Sequence, residues 1–161
     1  MITNKTFIVC PNGRLLLFAS RTATHTFCEA ICATLGHSTD YDVHPVEHCE
    51  RAVYSENTEI AALIRNPIER FLSLCAKENH SVLYGITNEF PVQIFDNDET
   101  VPSNVTLFKF ETQMQECANW LGITASLNWL DPYPNKPVLI ESELATLEMI
   151  YRKDLEIWNS L

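Results

Sequence analysis

"EIAALIRNPIERFLSLCAKE" (residues 59–78) joins two patterns of different period. Ile60 to Ile64 form a continuous apolar run, as in a strand covered on both faces. After Arg65-Asn66-Pro67, apolar residues recur at Ile68, Phe71, Leu72 and Cys75, the spacing of one helix face. Asn66 suits a helix N-cap, Pro67 suits the first helical position, and Glu69 falls where a capping box places its acid. The stretch therefore reads as a strand that turns into a helix within three residues, and it sets an α/β pattern for the chain around it.

Upstream, "TFIVCPNGRLLLFAS" (residues 6–20) holds two β-prone runs about Pro11-Asn12-Gly13, which predicts a strand-turn-strand entry. "RTATHTFCEAICATLG" (residues 21–36) follows, with Phe27, Ile31 and Leu35 four apart and Gly36 as a C-terminal stop, which predicts a helix. Downstream, "VTLFKF" (residues 105–110) reads as a strand and "ETQMQECANWLG" (residues 111–122) as a helix with Met114, Cys117 and Leu121 inward. "SELATLEMIYRKDLEIWNSL" (residues 142–161) reads as one terminal helix with Leu144, Leu147, Tyr151, Leu155 and Trp158 on a face that packs internally or against a second copy. Residues 37–58 and 81–104 are long irregular segments, the first rich in His and acid, the second a lid or partner surface. Strands alternating with helices predict an α/β three-layer sandwich around a mainly parallel sheet, with right-handed crossovers and ligands beyond the carboxyl ends of the strands. No repeat or linker interrupts residues 1–161, which read as a single domain.

A chain of 161 residues with 46% hydrophobic content can bury a core of its own. The six cysteines, at 10, 28, 32, 49, 75 and 117, lack paired CxxC spacing and read as reduced thiols. With no apolar run of membrane length and no leader pattern at the N-terminus, a soluble cytoplasmic protein is expected. The formal charge of −10 argues against duplex nucleic acid or an anionic membrane as partner. An anionic ligand must then be held locally, and two of the few arginines follow strands directly: Arg21 and Arg65. "RTATHT" places Thr22, Thr24 and Thr26 beside a cation at a helix start, either an anion cradle or an ordinary cap by Thr24. At the second joint Arg65 and Ser73 bracket Glu69 and Arg70, as a second anion site or as surface pairs on a capped helix.

Taken in order, "RTATHT", "IRNPIERFLSL", "VTLFKFET" and "EMIYRKDLEIW" resemble the PAPS-dependent sulfotransferases, most closely the carbohydrate (Golgi-type) branch. PAPS is 3′-phosphoadenosine 5′-phosphosulfate. The family's second motif, R-[DN]-P-x-x-R-[FL]-x-S, is matched at Arg65, Asn66, Pro67, Arg70, Phe71 and Ser73, whereas its first, K-T-[AG]-[GS]-T, is matched only loosely. The resemblance implies a minimal P-loop-like sulfotransferase fold. It assigns Arg65 and Ser73 to the 3′-phosphate, and Arg21, Thr22, Ala23, Thr24, His25 and Thr26 to the 5′-phosphosulfate. Arg70 is left to brace the helix or pair with an acid. Arg21 stands where the family has lysine, and no glycine occurs in "RTATHT".

The implied reaction is in-line transfer of the sulfuryl group to a hydroxyl or amine of a small molecule or glycan. Arg21 would stabilise the leaving phosphate, a general base would take the acceptor proton, and no metal is needed. The resemblance favours His44 as the base, because some members of the carbohydrate branch carry a catalytic histidine at a similar spacing before the arginine-proline motif. His48, His37 or an acid of the same loop (Asp40, Asp42, Glu47, Glu50) stand as alternatives. A zinc site at His44, His48 and Cys49 is disfavoured by Pro45 within the pair. Competing functions are a sulfotransferase-fold module that binds PAP or PAPS without turnover, and a P-loop kinase, which the missing GxxxxGK[ST] pattern disfavours.

Overall fold

The computed structural model describes residues 7–17, 22–36, 57–88, 94–129 and 133–161. Its elements in chain order are β1 (Phe7–Val9), β2 (Leu15–Leu17), α1 (Thr24–Thr34), β3 (Ile60–Ile64), α2 (Pro67–Glu78), α3 (Val82–Thr87), β4 (Val105–Lys109), α4 (Phe110–Trp120), α5 (Glu141–Ile150) and α6 (Arg152–Ser160). They pack as two compact units: Met1–Leu63 with Val101–Trp129, and Ile64–Thr100 with Leu130–Leu161.

The first unit carries a four-stranded sheet in the order β1-β2-β3-β4. The Pro11-Asn12-Gly13 turn makes β1 and β2 antiparallel, with Gly13 at φ 82° and its N–H donated to the Cys10 carbonyl at 2.9 Å. β2 and β3 run parallel, Leu15 opposite Ile60, so the sheet is mixed and the chain leaves both strands at one edge. The α/β reading of the sequence holds in this form. Every residue of β3 is buried, as its unbroken apolar run requires. Ile8, Leu16, Ala61, Leu63 and Phe108 of the strands share one core with Phe27 and Ile31 of α1 and with Cys117 of α4. Leu35, expected on the inward stripe of α1, is instead its exposed C-cap, and the chain then turns through Gly36 at φ 71°.

The turn of the hairpin is fastened to the end of α4. The Trp120 carbonyl accepts from Asn12 Nδ2 at 2.8 Å and from Arg14 Nη1 at 2.7 Å. Arg14 also pairs through Nε with Glu59 Oε2 at 2.8 Å, and its guanidinium lies 4.1 Å from the centre of the Trp120 ring. A cation at a helix C-terminus complements the carbonyls exposed there, and stacking on indole adds to that attraction.

The second unit is helical. Phe71, Leu72 and Cys75 of α2, Val82 of α3, Leu147 of α5 and Tyr151 form its core. α3 replaces part of the irregular segment expected over residues 81–104; Ser81 caps it by accepting the Tyr84 N–H at 3.2 Å. A Cβ at Gly85 would stand 2.8 Å from Phe71 Cζ and 2.9 Å from Cys75 Sγ, so the absence of a side chain is what admits α3 against α2. Gly85→Ala is expected to be destabilising, since overpacking of about 1–3 kcal/mol outweighs a helix-propensity gain of about 1 kcal/mol. Phe71→Leu in the same background should recover part of the loss, because it removes the conflicting ring atoms. A thermal melt in which Gly85→Ala matches or exceeds the wild type would contradict this packing.

The terminal helix expected over residues 142–161 is two helices that meet at Tyr151, whose φ of −94° and ψ of 20° end α5 and begin α6. A side chain from elsewhere in the unit holds the break open: Asn97 Oδ1 accepts from the Lys153 N–H at 3.0 Å, while its Nδ2 donates to the Ile150 carbonyl at 3.2 Å. The inward face therefore shifts after the break, with Asp154 and Ile157 buried beside Leu147 and Tyr151 while Leu155 and Trp158 are half-buried.

Candidate functional site

The β3–α2 joint forms as its residues predict. Asn66 takes a non-helical backbone, and its Oδ1 accepts the N–H groups of Ile68 and Glu69, both at 3.1 Å. Its carbonyl accepts from the Arg70 N–H at 2.9 Å, the first bond of the helix. Pro67 then starts α2 without needing a donor of its own. Arg65 and Ser73 are both buried, at 5% and 0% exposure, and not on the exposed face of the helix. The Glu69 carboxylate instead meets Lys136 Nζ at 3.1 Å, bringing the proline-rich segment to the first turn of α2.

Arg70 pairs with an acid, and that acid is Asp154. Its Nη2 lies 3.4 Å from Asp154 Oδ2, both side chains being almost wholly buried, and its guanidinium carbon lies 5.6 Å from the centre of the Tyr151 ring. The Asp154 carboxylate also accepts two backbone N–H groups, Ile94 to Oδ2 at 2.7 Å and Phe95 to Oδ1 at 2.9 Å. Burial pulls the pKa of Arg70 below its ordinary value, against the opposing influence of Tyr151 and Asp154. The Tyr151 phenol is pushed up by burial, with Arg70 acting the other way. Residues 94–97, expected within a lid, are thus bound to α6 through Asp154 and Asn97. Asp154 escaped the sequence reading, although it lies three residues beyond Tyr151 and so falls on the same helical stripe.

At the start of α1, Thr22 is buried and Ala23 is the N-cap, in the left-handed region at φ 56° and ψ 29°. Ala23, rather than Thr24, stands at the N-cap position, and its side chain makes no cap hydrogen bond. His25 is exposed and Thr26 half-buried. A left-handed residue before a helix turns consecutive N–H groups toward a concave surface, the geometry of backbone anion nests. Alanine occupies that conformation at a cost of roughly 1–2 kcal/mol that glycine would not incur. Ala23→Gly is accordingly expected to raise stability by about 1 kcal/mol in urea denaturation; a lowered midpoint would show that the methyl group has a packing role outweighing the backbone strain.

Arg21, Ser20, His37, His44, His48 and Cys49 lie outside the described residues, as do Asp40, Asp42, Glu47 and Glu50. At the end of β4, Lys109 is half-buried and donates its N–H to Gln113 Oε1 at 2.7 Å, and Glu111 is exposed. Among the described residues no three His, Cys, Asp or Glu side chains converge as metal ligands, and no helix is long and apolar enough to cross a membrane. Cys10, Cys28, Cys32, Cys75 and Cys117 are buried thiols. Burial pushes the Cys75 thiol up to about 11 and the Cys117 thiol higher still, so both remain protonated at neutral pH. Comparison of the chain with protein-family models, with curated proteins and with solved structures gave no match.

Proposed function

We propose that the protein binds PAPS and transfers its sulfuryl group to a hydroxyl, or an amine, of a small-molecule or glycan acceptor, on a minimal P-loop-like sulfotransferase fold of three layers. The observation that carries this reading is the β3–α2 joint. An arginine and a serine that the motif assigns to a phosphate are both buried, on a capped helix start that follows a strand directly. The helix N-terminus beside this arginine adds positive potential of the kind that attracts a phosphate. In this reading Arg65 and Ser73 hold the 3′-phosphate. The backbone from Thr22 to Thr26, with Arg21, takes the 5′-phosphosulfate, and the left-handed Ala23 supports such a nest. Arg21 stabilises the leaving phosphate, and His44 takes the acceptor proton as the neutral imidazole. The reaction needs no metal, and its setting is cytoplasmic.

The second reading, nucleotide binding without transfer, is favoured by Ala23, whose methyl group stands on the turn that must approach the phosphosulfate. One experiment separates the readings. PAP is titrated into the full chain with calorimetric and thermal-shift detection, and labelled PAPS is then offered with a panel of hydroxyl and amine acceptors. Binding with transfer supports the enzyme, and binding without transfer to any acceptor supports the module. If PAP produces neither heat nor a raised melting temperature, both are wrong.

A further inference from the structure

Arg70 sits on α2, the helix that follows Arg65 and carries Ser73, and it joins that helix to α6 through Asp154. Two backbone N–H groups fix the Asp154 carboxylate, at 2.7 and 2.9 Å, leaving a remaining lone pair of Oδ2 toward Arg70 Nη2 at 3.4 Å. Arg70 is held at both ends, its own N–H on the Asn66 carbonyl at 2.9 Å and its guanidinium between Asp154 and the Tyr151 ring. Asn66 adjoins Arg65, and Ser73 lies three residues past Arg70, on the same side of α2 and buried with it. A buried ion pair is seldom a better stabiliser than apolar side chains of the same volume; what it supplies is a directional contact.

We propose that Asp154 is a positioning residue for the 3′-phosphate end of the nucleotide site: acting through Arg70, it sets the rotation and tilt of the first two turns of α2 and hence the aim of Arg65 and Ser73. This rests on the reading of Arg65 and Ser73 as 3′-phosphate ligands. Asp154 does not touch the nucleotide. Its loss should therefore weaken recognition of the 3′-phosphate while leaving the rest of the nucleotide's affinity in place.

The test uses PAP, which carries the 3′-phosphate, and AMP, which lacks it, titrated into the full chain well below the melting temperature of each variant. Asp154→Asn keeps an acceptor for one of the two backbone N–H groups and loses the charge facing Arg70, and should weaken PAP about tenfold while AMP changes by less than about twofold. Arg70→Lys keeps the charge but not the reach, and should behave in the same way; it decides the matter if Asp154→Asn does not fold. Asp154→Glu, which restores the carboxylate, should recover part of the PAP affinity. Equal weakening of PAP and AMP, or wild-type affinity for both with only a lowered melting temperature, overturns the positioning role and leaves the nucleotide reading standing. A wild-type chain that binds no PAP overturns both.

Discussion

Asp154→Ala is expected to reduce the free energy of unfolding by about 3–5 kcal/mol, the usual consequence of removing one member of a buried pair. Three things are lost together: the counter-charge of Arg70, whose side chain is 4% exposed, the acceptor for the Ile94 N–H and the acceptor for the Phe95 N–H. An unbalanced guanidinium in that environment must draw in water or move to solvent, and either disrupts the core around Phe71 and Tyr151. The usual remedy of replacing both charges by apolar side chains should not restore full stability here, because the two backbone N–H groups would still lose the carboxylate. Urea denaturation followed by circular dichroism measures the loss. A shift of less than about 1 kcal/mol, the scale of an exposed ion pair, would mean that the pair is far better solvated than its burial indicates.

Arg65→Ala is expected to weaken PAP binding by at least about a hundredfold, the scale for truncating one partner of a desolvated charge contact, while AMP affinity falls much less. Arg65→Lys should give an intermediate result, because an ammonium keeps the charge but cannot present a planar fork to a phosphate. Melting temperatures must be recorded alongside, since Arg65 is itself buried. If the alanine variant binds PAP as the wild type does, Arg65 is a structural residue only, and its assignment to the 3′-phosphate is wrong.

The strand-to-helix joint was legible because its signals are local. A cap residue, a proline and a change of apolar period all fall within a few positions, and Asn66 does what its side chain allows. Gly13, Gly36 and Gly122 were readable for the same reason, each adopting positive φ where the apolar pattern stops. The break at Tyr151 was not, because neither glycine nor proline marks it and the side chain that sustains it comes from Asn97. Asp154 was concealed in a similar way: a carboxylate on an amphipathic helix normally faces water, and only tertiary structure supplies the donors that let it turn inward. Arg70 could be read as bracing its helix or pairing with an acid, but the sequence did not indicate Asp154 as that acid. α3 was hidden by its six residues, too few for an apolar period to emerge.

The clasp that Asn12 and Arg14 make on Trp120 bears on the order in which the chain acquires its structure. Those bonds span 108 and 106 residues, and the polypeptide from Ile64 to Thr100 belongs to the other compact unit. A nascent chain emerging from the ribosome therefore has its first two strands available long before the helix end they grip, with synthesis of the intervening stretch taking on the order of 5–20 seconds at ordinary elongation rates. In the first part of that interval, until β3 is made and can pair with β2, the hairpin is an unfinished template with open edges, and chaperone occupancy early in translation would be of direct benefit to it.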